Sequence, residues 1–133
     1  MTDDDMVQKI NQAVSTAEAF SKLYYKKLDQ ERHTIDKMYH ENANMAWNGN
    51  PVDGVTSIQK FLLDKLPKSS TYVQSLDAQP VHDTAVAGQT TVLVNVAGTV
   101  KYGNSQPVNF QQNFLLTAKE SKWKVVTDTF RSQ

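Results

Sequence analysis

Residues 110–131, FQQNFLLTAKESKWKVVTDTFR, decide how the chain is read. Two runs rich in strand-forming residues meet across Glu120 and Ser121. Successive side chains of a strand point to opposite faces, so each run divides by parity. In the first, Phe110, Phe114, Leu116 and Ala118 share one face, and Gln111, Asn113, Leu115 and Thr117 share the other. In the second, Val126 and Phe130 flank Asp128, while Trp123, Val125, Thr127, Thr129 and Arg131 lie opposite. One face is core. The other mixes amides, hydroxyls, a few apolar groups and one cation, which is too polar for an interior and too apolar for a surface that meets only water.

Working outward, residues 89–102 form another strand-like run of ~45 Å if continuous, longer than an ordinary strand and therefore part of a bent sheet. Gly98 marks the expected bend or bulge. Val92, Val94, Val96, Val100 and Tyr102 face one way, and Thr91, Leu93, Asn95, Ala97 and Thr99 the other, with the same mixed character as the odd face of the hairpin. A third strand spans 71–79. The helical signals all come earlier. Met6, Ile10, Ala13, Ala17, Phe20, Tyr24 and Leu28 draw an apolar stripe over about six turns, after a cap and acidic start at Thr2 to Asp5. A polar break at 29–33 precedes a short helix with Ile35, Met38 and Tyr39 inward, and a turn near Glu41 and Asn42 then leads into strands. Residues 44–47 and the strand beginning at Val52 form a hairpin through Asn48 and Gly49. A third helix, opened by Gly54 and capped by Thr56 or Ser57, turns Ile58, Phe61, Leu62 and Leu66 inward until Pro67. Helices first and long strands afterwards predict one α+β domain over 1–133, a curved antiparallel sheet with helices packed on one face.

A chain of 133 residues buries enough surface to fold as one domain without staples. There is no cysteine, hence no disulfide framework and no thiolate metal site, and an intracellular, unprocessed, soluble protein is the expectation. No apolar run approaches the ~20 residues of a membrane helix. Fourteen basic and fourteen acidic residues balance, so no net field attracts nucleic acid.

Helices can cover only the valine and phenylalanine face of such a sheet. The other face stays open, and its apolar centre edged with hydrogen-bonding groups has the composition of a partner interface. The residues expected to meet the partner are Leu93, Asn95, Gln111, Asn113, Leu115, Val125, Thr127, Thr129 and Arg131, together with Gln79. An enzyme is the competing reading. Asp128 on an apolar face could act as a base, with Tyr25, Tyr39 and His40 beside it. One inward acid held by tyrosine hydroxyls or backbone amides accounts for it equally well. No catalytic residue, cofactor or metal is assigned: no His-x-x-His or Glu-x-x-His spacing occurs, His33 and His40 read as surface residues, and His82 as a loop anchor. Trp47 and Trp123 read as packing anchors, Trp123 at a rim, and the lysines at 26–27 and at 119, 122 and 124 as a solvated face.

Several strings in collinear order give the chain a resemblance to a known family. They are Tyr24-Tyr25, Ala46-Trp47-Asn48-Gly49-Asn50, Gln79-Pro80-Val81-His82-Asp83, Gln89-Thr90-Thr91-Val92-Leu93-Val94, Phe110-Gln111-Gln112-Asn113-Phe114 and Asp128-Thr129-Phe130-Arg131. Together they resemble the nuclear transport factor two family, in particular its export-related branch. The resemblance implies a cone-like fold that pairs through its open sheet face. In this branch the partner is the homologous domain of the large messenger-RNA export receptor, giving a heterodimer that shuttles between nucleus and cytoplasm through nuclear pores. It also implies that Arg131 takes part in an interfacial salt bridge. The import branch binds Ran-GDP through a glutamate in its Trp-Glu-Gly turn and through an acidic loop. Here Asn48 stands in the turn and the loop reads Asn104-Ser105-Gln106, so Ran-GDP binding is not expected; an import-type homodimer, which needs that acidic loop, is the third reading. Ala13 replaces the import branch's aromatic for Phe-Gly nucleoporin repeats, which leaves repeat binding mainly to the partner in the complex.

Overall fold

The long amphipathic run becomes α1, Asp3–Gln30, in the computed structural model, which describes residues 3–81, 91–119 and 122–133. Ala13, Ala17, Phe20, Tyr24 and Leu28 are buried along one side, as their spacing requires. The stripe's first members are not: Met6 is 52% and Ile10 44% exposed, so α1 overhangs the described core by about three turns. Its other end is clasped. Asp29 accepts hydrogen bonds from Ser69 Oγ at 2.6 Å and from the Thr71 amide at 2.9 Å. Arg32 donates to the carbonyls of Leu28, Leu62 and Pro67 and to Ser69 Oγ at 2.9–3.2 Å. The segment read as a polar break therefore ties both helices to the sheet.

A 3₁₀ helix, Arg32–Met38, delivers Ile35, Met38 and Tyr39 to the core. β1, Tyr39–Trp47, begins earlier than expected, and the turn expected near 41–42 is a register irregularity inside it. Asn48 (φ 48°) and Gly49 (φ 85°) then turn the chain into β2, Asn50–Asp53. α2, Val55–Lys65, opens at Gly54 as expected, but Gly54 itself, with a φ of 86°, takes the cap position and Thr56 and Ser57 lie inside the helix. β3 (Ser69–Val81), β4 (Thr91–Tyr102), β5 (Val108–Lys119) and β6 (Lys122–Ser132) follow. The cap at Thr2, the loop role of His82, the strand start at 89–90 and the turn at 120–121 lie outside the described residues.

All six strands form one open sheet in the order β2-β1-β6-β5-β4-β3. Every pairing is antiparallel except β1 with β6, so the sheet is mixed where a purely antiparallel one was expected. Hairpin signals fix the direction only of strands joined by tight turns, and β1 and β6 are not so joined. The inner face carries Val92, Val94, Val96, Val100, Phe110, Phe114, Leu116 and Phe130, all buried. Trp47 stacks on Phe130 at 3.8 Å between ring centroids, and Phe20 meets Phe114 edge-on at 4.9 Å.

Two bulges shape this sheet. Between Val73 and Ser75 the β3 register slips, leaving Gln74 as the extra residue opposite Gly98. A Cβ at position 98 would lie 2.0 Å from the Tyr72 carbonyl oxygen, so the bulge expected at Gly98 sits on the neighbouring strand and presses against it. The second is in β6: Leu115 pairs with Thr127 and Leu116 with Val125, which leaves Val126 as the extra residue. It reverses the expected parity there. Val125 is 0% exposed and belongs to the core, not to the open face.

Candidate functional site

Strand pairing brings the remaining nominated residues into three rows across the outer face. The first runs Gln79, Leu93, Leu115, Thr127 and continues to Asn44 and Asp53. The second runs Asp77, Asn95, Asn113, Thr129, Ala46 and Pro51. The third runs Ser75, Ala97, Gln111 and Arg131. No helix covers these rows. Their charged members are Asp53, Asp77 and Arg131, and the rest are amides, hydroxyls, alanines, leucines and a proline. Parity identifies Leu93, Asn95, Gln111, Asn113, Leu115, Thr127, Thr129 and Arg131; it misses Asn44, Ala46, Pro51, Asp53, Ser75 and Asp77. For Asn44, Ala46, Ser75 and Asp77 the signal is alternation in residues 44–47 and 75–79, the latter beginning only after the bulge at Gln74.

Arg131 is exposed at one end of this face, and its side chain has no ion pair or hydrogen bond among the described residues. Beside it lies an open cleft of about 470 Å³ lined by Gln74, Ala97, Gly98, Asn109, Gln111 and Ser132. The β3 bulge and the missing side chain of Gly98 form one wall. A guanidinium at the edge of such a cleft can grip a carboxylate in the bidentate geometry that arginine favours.

Directly inside the sheet from Thr127 and Thr129, Asp128 is the centre of a buried polar cluster. Tyr39 donates to its Oδ2 at 2.6 Å and Gln112 Nε2 to its Oδ1 at 2.8 Å. The Tyr24 and Tyr39 hydroxyls are 2.8 Å apart, and the Tyr25 hydroxyl donates to Gln112 Oε1 at 2.8 Å. Burial raises the Asp128 carboxyl from 3.8 to about 6 against the opposing pull of these hydrogen bonds. The same burial, reinforced for both by the charge of Asp128, holds Tyr24 and Tyr39 well above the usual phenol range. Both therefore stay protonated and act as donors. The carboxylate oxygens are spent on internal partners, and Asp128, Tyr24, Tyr39 and Gln112 are all but sealed from solvent. The hydrogen bonds offset only part of the cost of burying the carboxyl, and the arrangement offers no open position to a substrate.

At the arginine end of the sheet, the Asn48 side chain is also committed to the fold. Its Oδ1 accepts the Ser132 amide at 2.8 Å and its Nδ2 donates to Ser132 Oγ at 3.1 Å, which fastens the last strand to the β1–β2 turn. The β4–β5 loop, residues 103–107, contains no carboxylate. Ala13 is buried, so no side chain at that position meets solvent. Among the described residues no group of three or more His, Asp or Glu could hold a metal ion. No helix among them is long and apolar enough to cross a membrane.

Residues 16–132 match the family described as the Nuclear transport factor 2 (NTF2) domain. The chain is 41% identical to NTF2-related export protein 2 of Homo sapiens, over 97% of this chain and 93% of that one. It is 40% identical to NTF2-related export protein 1 of Bos taurus, over 100% and 97%. Among solved structures, nuclear transport factor 2 of Cryptosporidium parvum superposes with a TM-score of 0.80 at 20% identity, covering 94% of this chain and 95% of that one. A chain from the Mtr2-Mex67 M domain complex of C. albicans gives a TM-score of 0.70 at 14% identity, covering 87% and 93%.

Proposed function

The chain belongs to the nuclear transport factor 2 family, and from that premise we propose that it is a non-enzymatic adaptor of messenger-RNA export. Its open sheet face docks on the homologous domain of a large export receptor, stabilises that domain and supports passage of the complex through nuclear pores. The observation that carries this reading is the uncovered outer face, apolar at Leu93 and Leu115, amide-rich around Asn95 and Asn113, and ended by an exposed arginine. The names of the export-protein relatives and the two-component assembly of a structural neighbour support it. In this reading Arg131 pairs with a carboxylate of the receptor domain. Gln79, Leu93, Asn95, Gln111, Asn113, Leu115, Thr127 and Thr129 supply the complementary surface, and Val126 replaces Val125 in it. The protein then resides in both nucleus and cytoplasm and at the pore, with Phe-Gly repeats engaged through the complex. Asn48 and a carboxylate-free loop at residues 103–107 argue against a Ran-GDP site.

An Arg131→Glu variant tests the assignment by co-purification with the receptor domain. Breaking a desolvated pair and adding a like charge costs at least ~3 kcal/mol, roughly a hundredfold in affinity. The variant should fold with an unchanged circular dichroism spectrum and lose the partner; undiminished co-purification would remove Arg131 from the interface.

A further inference from the structure

On the helical side of the molecule, sharing no residue with the three rows, a groove of about 590 Å³ runs between α1, the 3₁₀ helix and the start of β6. Ala19, Phe20, Leu23, Met38 and Trp123 give it an apolar floor. Leu23 is 46% exposed there, a large apolar side chain left partly open to water beside further apolar surface. Four lysines rim it: Lys27 from α1, Lys37 from the 3₁₀ helix, and Lys122 and Lys124 from β6. Among the described residues the lining contains no aspartate or glutamate. None of the four lysines has an ion pair among the described residues, although Lys27 donates to Thr34 Oγ1 at 3.0 Å. In a chain with no net charge, four like charges converging from three elements on one apolar trough form a local field that the sequence conceals.

We propose that this groove binds an acidic amphipathic segment of a protein partner, with its apolar side chains on Leu23 and Trp123 and its carboxylates against the lysine rim. Charge complementarity selects the occupant. An apolar floor takes the anchors of a helix or extended peptide, and a rim of four lysines selects acidic flanks. Single-stranded RNA fits less well, because base stacking needs accessible aromatic rings and Phe20 is only 5% exposed, which leaves Trp123 alone. Since the groove is separate from the outer face, it stays available whether or not that face is occupied.

The test uses the full chain and a fluorescein-labelled peptide with Glu and Asp flanking Leu and Phe at helical i, i+3, i+4 and i+7 spacing, read by anisotropy. The peptide should bind at low salt and weaken steeply toward 1 M, where screening acts beyond ~3 Å. It should lose at least about tenfold in affinity with the Lys122→Glu and Lys124→Glu double variant, and again with Leu23→Asp. Binding should also shift the emission of Trp123, a signal absent in Trp123→Phe. These are surface or half-exposed positions, and an unchanged melting curve verifies folding. The proposal is overturned if the peptide does not bind, or if both variants bind it as the parent does. It is equally overturned if a neutral Phe-Gly peptide or polyuridylate binds more tightly than the acidic peptide.

Discussion

Asp128 and Arg131 are three residues apart on one strand and have opposite fates. Arg131 reaches solvent, whereas Asp128 is enclosed by Tyr24, Tyr39 and Gln112. Burial of that carboxyl makes stability depend on pH in a defined direction. Below the ordinary carboxyl value near 3.8 both folded and unfolded chains hold the proton, and the cluster contributes in full. As pH rises through about 6 the folded protein must ionise a buried group, and the contribution falls by on the order of 3 kcal/mol. Asp128→Asn removes that ionisation. Urea unfolding of both proteins at pH 4 and pH 7 should therefore show the parent losing stability relative to the variant as pH rises. Parallel behaviour of the two would mean that Asp128 is not the titrating centre of the cluster. An inward acid among tyrosines was legible in the sequence; that Gln112 would complete its shell was not, because this partner comes from the adjacent strand through a register that parity alone does not supply.

At the scale of elements, the two bulges separate what could be read from what could not. Alternation in β4 and β5 holds throughout the open face because no residue is inserted between Leu93 and Ala97 or between Gln111 and Leu115. In β6 it breaks at Val125 and Val126, two identical β-branched side chains, and nothing in their chemistry says which one faces the core. Gly98 did carry a signal, since a glycine in a strand interior implies close backbone approach; the register then locates the inserted residue at Gln74 on the partner strand. The close contact makes the glycine indispensable. Gly98→Ala would force a methyl against the Tyr72 carbonyl, shift β3 outward and deform the cleft beside Arg131. We expect a loss of about 2 kcal/mol or more by chemical denaturation, with weaker binding of the receptor domain. An alanine variant as stable as the parent would show that the strands can separate there at no cost. The lysine groove escaped sequence reading for a related reason. Lys122 and Lys124 look like a solvated pair until the 3₁₀ helix and the end of α1 bring Lys37 and Lys27 beside them.

For the whole molecule, helices on one side and an open face on the other leave the sheet half covered. Six strands present an outer surface of leucines, amides and hydroxyls with the composition of a protein interface. Balanced charge gives the chain no long-range attraction for polyanions, so recognition falls to shape and to a few positioned groups. The sharpest test of this account is the mass in solution by light scattering, for the chain alone and mixed with the homologous domain of the receptor. The account predicts a stable one-to-one heterodimer that Arg131→Glu dissociates. A chain that keeps the same mass with and without the receptor domain would contradict it.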